Sequence, residues 1–516
     1  MKGHRIVLTA DRSLMSNFRG NFLFGFLSCG PYEHIPKWVY NHVMCPPVEA
    51  DPTTGEAKVA ECGLRRVEAS LLTRYKREDV FVAHPDYIER AIGEQTKVVG
   101  VGAMDPLGIG PVTSSLVSSN KTPYNRVMFR ALLGRINRLK PQYRFRTVLG
   151  GSGTWQMRLL PEKAAPFALD HFVEGEADTA APDIFQAIEE GTADERIRCY
   201  TNQVGEIPEI RGPTVNGLIE AMRGCGRGCS FCDVTRRLRR DLPIERLQRE
   251  ARVNLDYGFR AIWLHSDEML LYGLDNHDFI PNRDAVRELF SAMKSLPGVD
   301  MVGSTHWTLS AVVAAPELIA DISRINRLGP SRWLAVQPGL ESAAPRIVNQ
   351  WLAWKVKPFS NEEWPWVVRE GVRILNENYY FPALTLIVGF PDETEDETRA
   401  TIDLVDQLAT RDCMIAPLLY VDYARRERSA TFQRMNPTQF ELYYKCWRHN
   451  LRQFDDKIWG AARTFNPLMR LLTVLLTRLG TKAILAYLRG LSKENFNMVP
   501  EDVIQKNGKK APAPTV

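Results

Sequence analysis

Three of the nine cysteines stand close together in the stretch RGCGRGCSFCD. Cys225, Cys229 and Cys232 follow one another at spacings of three and then two intervening residues. A zinc site would need a fourth ligand at similar range, yet the next histidine is His265 and the next cysteine is Cys413. Three thiolates suit a four-iron cluster whose fourth iron stays open to another ligand. A distorted zinc site and an incidental cysteine loop are the alternatives.

The composition sets the frame for this chemistry. A length of 516 residues predicts about three domains. The net charge of +5 is small for this length and no Lys/Arg block stands out, so nucleic acid is not an expected partner. The start lacks the apolar segment of a signal peptide and no apolar run is long enough for a transmembrane segment. These features predict a cytoplasmic, reducing setting, where clustered cysteines more often bind metal than form disulfides.

Apolar strands and helices alternate after the cysteine loop. The strand-like segments are AIWLHSDEML, DMVGSTHWTL, RWLAVQPGLES and FPALTLIVGF. This alternation predicts a parallel βα sheet or partial barrel with its chemistry at the carboxyl ends of the strands. Asp267 and Glu268 stand at such an end, where a carboxylate suits an ammonium group. A solvated loop is the alternative for these two acids.

The segment CGRGCSFC resembles the cluster motif of the radical S-adenosylmethionine (SAM) superfamily. The resemblance spans about residues 215–410 and implies a 4Fe–4S cluster on the three cysteines, with SAM on the open iron. One-electron reduction would then cleave SAM to a 5′-deoxyadenosyl radical. SDEM, PGLES and LIVGFPDETEDE resemble the family's SAM-contacting segments. The SAM-binding residues implied are Asp267, Glu268, Glu341, Gly389 and Pro391.

The first two hundred residues carry strands that run into glycine loops, as in KVVGVGAM, VLGGSGT and FVEGEAD. Their order resembles the cobalamin-binding domain that precedes some radical SAM domains, which implies a doubly wound, Rossmann-like sheet. The cobalamin contacts expected from the resemblance are Met104, Asp105, Pro106, Leu107, Gly150, Gly151, Ser152, Gly153, Thr154, Glu174, Gly175 and Glu176. The histidine motif DxHxxG is missing, and His84 and His171 are interpreted as ordinary polar residues. Cobalamin is therefore expected base-off.

The last part of the chain has a helical pattern. The segment PLMRLLTVLLTRLGTKAILAYLRGL predicts an amphipathic helix that packs over the barrel mouth, with contact to a membrane or lipid as the alternative. The predicted domains are 1–206 for cobalamin, 207–410 for a partial (β/α)6 radical SAM core and 411–516 for a mainly helical domain with a disordered tail. The fold class is α/β.

This layout resembles the cobalamin-dependent (class B) radical SAM methyltransferases. The resemblance implies methylation of an unactivated sp3 carbon through a 5′-deoxyadenosyl radical and methylcobalamin. Among archaeal members, we expect a protein or peptide substrate and take the Cα of a glutamine in methyl-coenzyme M reductase as the acceptor. Modification of a tetraether lipid is the alternative, and a non-catalytic cobalamin-binding regulator is disfavoured. An electron donor such as ferredoxin or flavodoxin is the expected partner, and the sequence assigns no catalytic residue.

Overall fold

A computed structural model describes residues 2–20, 25, 28–118, 120–201, 203–232, 237–461 and 467–496. It gives no account of the side chains at 353, 426, 454–477 and 495. The tail predicted to be disordered lies outside the described residues.

Six parallel strands form the sheet of the N-terminal domain. They are β1 (Ile6–Ala10), β2 (Val80–Val82), β3 (Val98–Gly102), β4 (Arg146–Gly150), β5 (His171–Gly175) and β6 (Arg196–Cys199). Their spatial order is β2-β1-β3-β4-β5-β6. The order reverses between β1 and β3, and this switch point is where doubly wound sheets bind their ligands. The prediction of a doubly wound sheet is confirmed.

Helices cover both faces of this sheet, since successive residues of β1 enter different cores. Ile6 and Leu8 belong to one apolar cluster and Val7 belongs to the other. A strand buried on both faces reads as a continuous apolar run, which explains segments such as VVGVG. The helices of this domain are α1 (Lys37–Val39), α2 (Cys62–Leu71), α3 (Ile88–Ala91), α4 (Pro111–Leu116), α5 (Tyr124–Tyr143), α6 (Trp155–Leu159), α7 (Pro161–Ala164) and α8 (Ala181–Glu190).

A second parallel sheet forms the partial barrel. Its first half has the order β11-β10-β7, and its second half has the order β12-β13-β14-β15. These strands are β7 (Leu218–Glu220), β10 (Ala261–His265), β11 (Met301–Ser304), β12 (His306–Trp307), β13 (Leu334–Glu341), β14 (Tyr380–Val388) and β15 (Met414–Leu419). Only Thr305 separates β11 from β12, so the two halves follow each other around the barrel. The barrel continues through β15, beyond the predicted boundary at residue 410.

A short antiparallel ribbon, β8 (Met222–Arg223) with β9 (Arg240–Asp241), flanks the cysteine loop. The amphipathic segments between the barrel strands form helices packed on the barrel core, because their apolar faces are buried in one continuous cluster. These helices are α9 (Ile244–Tyr257), α10 (Arg283–Lys294), α11 (Leu309–Ala314), α12 (Pro316–Ile325), α13 (Pro345–Ile347), α14 (Trp364–Glu377) and α15 (Glu395–Gln407).

Two long helices, α16 (Pro437–Ala461) and α17 (Pro467–Phe496), follow the barrel. Leu488 and Leu491 of α17 are buried in the barrel core, whereas Leu479 is 53% exposed. The predicted leucine face before residue 478 lies outside the described side chains. Within the described ranges, no helix is both long and apolar enough to span a membrane.

The short helix α4 joins all three parts of the chain. The backbone N–H of Leu419, at the end of β15, donates to Ser115 Oγ at 2.6 Å. Tyr443 of α16 donates its hydroxyl to the carbonyl of Ser115 at 2.6 Å, and Tyr487 of α17 donates to that of Leu116 at 2.9 Å. Through α4, the N-terminal domain is therefore hydrogen-bonded to the last barrel strand and to both C-terminal helices.

Candidate active site

The cysteine loop has a backbone that only glycine adopts readily. Gly224, Gly226 and Gly228 have φ angles of 77°, 75° and 72°, in the left-handed region. Left-handed residues that alternate with others turn successive N–H groups into a concavity that suits anionic groups, including iron–sulfur clusters. At Gly226 an added Cβ would meet nothing within 4 Å, so the loop leaves open space there. The backbone of this loop fits a cluster with sulfide and thiolate ligands.

The cysteines of the loop lie at the protein interior. Cys229 is buried, and Cys225 and Cys232 are half-buried. Burial raises the pKa of the Cys225 thiol to about 11 and that of Cys229 to about 12. Binding a metal therefore has to displace protons from these thiols. Among the described residues, no three His, Cys, Asp or Glu side chains form a group that could hold a single metal ion, whereas a four-iron cluster is a larger body.

Arg227 anchors the loop from inside. Its guanidinium is 1% exposed and donates to the carbonyls of Trp354 at 3.0 Å, Lys355 at 3.1 Å and Lys357 at 3.2 Å. It also lies over the ring of Phe279, with 4.9 Å between the guanidinium carbon and the ring centroid. The residue was not predicted from the sequence, since an arginine between two glycines is indistinguishable from a solvated one.

The two predicted acids after β10 have different tasks. The carboxylate of Asp267 accepts the backbone N–H of Gly224 at 2.6 Å and thus braces the cysteine loop. Glu268 is fully buried, and its Oε1 accepts the N–H of Thr308 at 3.1 Å. Burial raises the pKa of both carboxyl groups.

Several buried polar atoms around Glu268 lack a hydrogen-bond partner among the described residues. They are Glu268 Oε2, Ser266 Oγ, and Nε and Nη2 of Arg227. Glu268 Oε2 and Arg227 Nε are 3.8 Å apart, which is too long for a hydrogen bond. Buried polar atoms of this kind are costly unless a ligand satisfies them. An acceptor and donors beside the cysteine loop fit a zwitterionic group such as the amino acid part of SAM.

Glu341 is paired with a lysine that the sequence did not reveal. Its Oε1 accepts Lys355 Nζ at 2.5 Å and the hydroxyl of Thr385 at 3.2 Å. Although burial favours the neutral amine, the Glu341 carboxylate raises the pKa of Lys355 above its ordinary value. At Gly339 an added Cβ would lie 1.9 Å from Glu341 Oε1, so this pair requires a glycine. Lys355 ends a short 3-10 helix (Ala353–Lys355) after α13, where no sequence signal marks it.

Gly389 and Pro391, two of the predicted SAM contacts, lie in the turn after β14. Gly389 has a φ angle of 83°, and an added Cβ would lie 2.9 Å from the Cβ of Ala430. Thr394 caps α15, and its hydroxyl accepts the N–H of Glu397 at 3.3 Å. The turn therefore has the shape expected for a segment that passes along a ligand, and its contact with SAM remains a prediction.

Beside the switch point of the N-terminal sheet, the loop after β3 packs tightly against the loop after β4. An added Cβ at Gly151 would lie 2.6 Å from the carbonyl oxygen of Ala103, and one at Gly153 would lie 2.4 Å from that of Met104. Thr154 donates to the carbonyl of Gly151 at 2.9 Å. At Gly150, by contrast, an added Cβ would meet nothing within 4 Å. The loops thus leave an open cradle beside Gly150 that fits the edge of a large ligand.

Of the predicted cobalamin contacts in the loop after β3, one is exposed and the others lie inside the loop and support it. Met104 is 57% exposed, whereas Pro106 and Leu107 are buried. Asp105 accepts hydrogen bonds from the loop and its neighbours, and it is therefore a support of the loop. The donors are the N–H groups of Ile109 and Gly110, both at 2.9 Å, the hydroxyl of Thr113, and the side-chain amides of Asn125 at 2.7 Å and Gln156 at 2.6 Å.

Glu174 and Glu176 both form ion pairs with arginines. Glu174 lies 3.4 Å from Arg158 and 3.8 Å from Arg198. Glu176 lies 3.1 Å from Arg223 and 2.7 Å from Arg240, the facing residues of the β8–β9 ribbon. Between them, Gly175 has no room for a Cβ, which would lie 2.1 Å from the carbonyl oxygen of Cys199. Their contact with cobalamin remains a prediction.

His84 and His171, the two histidines considered in the sequence analysis, both form hydrogen bonds with backbone groups. His84 is buried and its Nδ1 accepts the N–H of Asp86 at 3.1 Å, while His171 Nδ1 is 2.9 Å from the carbonyl of Asp194. His306, which was not singled out, is the more unusual one. Burial and the neighbouring His265 lower the pKa of His306 to about 4, so its imidazole is neutral.

Comparison with known proteins agrees with this geometry. Residues 219–405 match the model of the radical SAM superfamily. The tRNA-2-methylthio-N(6)-dimethylallyladenosine synthases of Thermotoga petrophila and of Ruegeria sp. strain TM1040 are 25% identical over 232 residues and 28% identical over 201 residues. These alignments cover 43% and 38% of this chain and 48% and 42% of the relatives, so the chain spans about half the length of the curated relatives it matches.

Two solved structures share the fold over most of the chain. TsrM from Kitasatospora setae, a radical SAM methyltransferase solved with cobalamin and a 4Fe–4S cluster, has a TM-score of 0.50 and 14% identity over 80% of this chain and 72% of its own. The cobalamin-dependent SAM radical enzyme OxsB has a TM-score of 0.56 and 10% identity over 98% of this chain and 75% of its own. Residues 219–405 are therefore a radical SAM domain, set in a chain that shares its fold with cobalamin-dependent radical SAM enzymes.

Proposed function

We propose that the protein is a cobalamin-dependent radical SAM C-methyltransferase that methylates an unactivated sp3 carbon. The observation that carries this proposal is the junction of the two candidate cofactor sites. Arg223, two residues before Cys225, pairs with Glu176 and Asp178, which belong to FVEGEAD, the last motif of the N-terminal sheet. When bound, the cluster with SAM would supply a radical, and cobalamin would supply a methyl group. A reaction that uses both needs the two sites at a fixed separation.

The residues of the barrel hold and orient what binds there. Asp267 fixes the cysteine loop through the N–H of Gly224. Glu268 offers a buried carboxylate oxygen to an ammonium group, and Arg227 offers buried donors to a carboxylate. Lys355 pairs with Glu341 and holds its side chain in place at the end of β13. Burial of these groups keeps water out of the site. A radical reaction needs this exclusion of water in order to avoid side reactions.

Within this reaction, the acceptor expected from the resemblance is the Cα of a glutamine in methyl-coenzyme M reductase. Modification of an archaeal tetraether lipid is the second candidate acceptor. The cobalamin is proposed to be base-off, because the DxHxxG histidine is missing. A one-electron donor such as ferredoxin or flavodoxin completes the proposal. A cavity of about 530 Å³ that includes Cys225 and the 53% exposed Trp354 in its wall provides an approach to the cysteine loop.

The test is an anaerobic incubation of the reconstituted full-length protein with reductant and SAM carrying a ¹³C-labelled methyl group. A glutamine-containing peptide and an archaeal lipid extract serve as alternative acceptors. We expect one cobalamin bound for each chain, release of 5′-deoxyadenosine, and label on a carbon of one acceptor. The matched control replaces the three loop cysteines with alanine, which removes 5′-deoxyadenosine formation but leaves cobalamin bound. A wild-type protein that retains no cobalamin, or that puts the label on sulfur, contradicts the proposal.

A further inference from the structure

A pocket of about 130 Å³ lies where the N-terminal domain meets the segment that follows β15. The loop after β3, helices α4 to α7 and residues 421–433 contribute to its wall. Trp155, which directly follows the Gly150–Thr154 loop, is one of the lining residues and makes an edge contact with Tyr423 at 4.8 Å. The pocket is therefore next to the candidate cobalamin site but not part of the cysteine loop.

The charged groups of this pocket are mainly cationic. Lys121, Arg126 and Lys163 line it, against a single carboxylate among its described lining residues, Asp422. Asp422 is already used by its own loop, since its Oδ1 accepts the N–H groups of Ala424 at 2.8 Å and Arg425 at 2.9 Å. The carboxylate of Glu33 interacts electrostatically with Lys121, but Glu33 does not line the pocket. The pocket thus carries a surplus of positive charge.

Arg126 is the cation best placed to receive a ligand. It extends from the first turns of α5, is half-buried, and makes no ion pair with any residue that the structure describes. A guanidinium offers a planar fork of donors that matches the oxygens of phosphate or carboxylate. Cations that line one small space repel one another, and an anion bound among them would reduce this repulsion.

The remaining wall is apolar and aromatic. Leu107 and Phe432 are each 2% exposed, and Trp155 and Leu159 stand beside them. Apolar side chains next to cations suit a molecule that has an anionic end and a hydrocarbon body. A volume of about 130 Å³ equals roughly four water molecules, enough for a phosphate group and the first carbons attached to it.

We propose that this pocket binds the phosphate monoester group of an apolar substrate. A phosphate monoester carries about −1.5 to −2 charges at pH 7, which matches the cationic surplus better than the single charge of a carboxylate does. The proposal rests on the proposed function, because it names a class of substrate for the methylation. The phosphate would anchor one end of the substrate beside the candidate cobalamin site, and the hydrocarbon part would continue towards the barrel.

The test measures binding by calorimetry to the holoprotein, with hexyl phosphate, inorganic phosphate, hexanoate and hexanol as probes. We expect hexyl phosphate to bind most tightly of the four probes. Arg126→Gln should weaken the binding of hexyl phosphate by about tenfold, which is the effect of losing a charge-assisted hydrogen bond. Lys121→Gln is the second variant and should also weaken the binding of hexyl phosphate. The matched control is Arg130→Gln, an exposed arginine one turn further along α5 that does not line the pocket, and it should change nothing.

Four results would overturn the inference. Equal binding of hexanol would show that charge does not matter, and tighter binding of hexanoate would assign the pocket to a carboxylate, as on a peptide. Equal binding of inorganic phosphate would show that a free anion is the ligand. Loss of cobalamin from the Arg126 variant would also overturn it, because the pocket would then belong to the cofactor. Each readout is independent of turnover, so failure here leaves the methyltransferase proposal standing.

Discussion

Replacing Arg223 with glutamine should separate the two candidate cofactor sites. Its guanidinium lies 3.1 Å from Glu176, 2.8 Å from Asp178 and 2.7 Å from Glu220. The first two carboxylates follow β5 of the N-terminal sheet, and the third ends β7 of the barrel. Glutamine keeps most of the volume of arginine but removes the positive charge from among the three acids.

The expected loss of stability follows from the burial of Arg223 and its three partners. The side chain of Arg223 is 7% exposed, and its partners are 7%, 8% and 15% exposed. Removing one partner of a buried pair costs about 3–5 kcal/mol, because the remaining charge stays buried without compensation. Arg240 still pairs with Glu176, so we expect the lower end of that range. A loss of about 3 kcal/mol is large against a typical stability of about 5–15 kcal/mol.

The matched control is Arg249→Gln, which breaks an exposed pair with Glu209 whose side chains are 53% and 39% exposed. Exposed pairs contribute about 0.2–1 kcal/mol, so this variant should be nearly neutral. The assay is urea unfolding followed by fluorescence, combined with cobalamin retention after gel filtration. A double-mutant cycle with Asp178→Asn should give a coupling energy of about 0.5–3 kcal/mol. If both arginine variants shift the urea midpoint equally, the argument from burial is refuted.

Three further predictions concern the barrel. Replacing the three loop cysteines with alanine should remove about four irons, measured by iron analysis, whereas Cys413→Ala should leave iron content unchanged. Lys355→Met should lower the melting temperature by several degrees because it leaves a buried carboxylate unpaired, while the less buried Lys357→Met should not. Burial raises the pKa of Glu393 to about 7. A carboxyl group with a raised pKa destabilises the folded state as pH rises from about 4.5 through 7. Glu393→Gln should therefore have a higher melting temperature than wild type at pH 8 but not at pH 4, measured by calorimetry.

The architecture could be predicted because its signals are local. Continuous apolar runs such as VVGVG predict strands buried on both faces, and glycines at strand ends predict the close loop contacts found at Gly151 and Gly153. The cysteine spacing likewise lies within one loop. The boundary at residue 410 was less predictable, because β15 is recognised as a barrel strand only by its pairing with β14.

The partners inside the site could not be predicted, since they come from distant parts of the chain. Lys355 binds Glu341 from a 3-10 helix of three residues, too short to leave a pattern in the sequence. Arg227 is held by carbonyls more than a hundred positions away. A sequence pattern shows that a residue is charged but not which charge it will meet. Asp105 shows the same limit, because its position suggests a ligand contact while its carboxylate supports its own loop.

Glu176 shows how a motif residue can serve the site indirectly. Its carboxylate meets Arg223 and Arg240, so the sheet that carries the candidate cobalamin loops is fastened to the ribbon beside the cysteines. Buried ion pairs are weak sources of stability, since the cost of removing both charges from water offsets most of their attraction. Their directional hydrogen bonds, however, fix relative orientation more strictly than an apolar contact does. We infer that this network sets the separation of the two cofactor sites, the quantity to which a reaction between two bound groups is most sensitive.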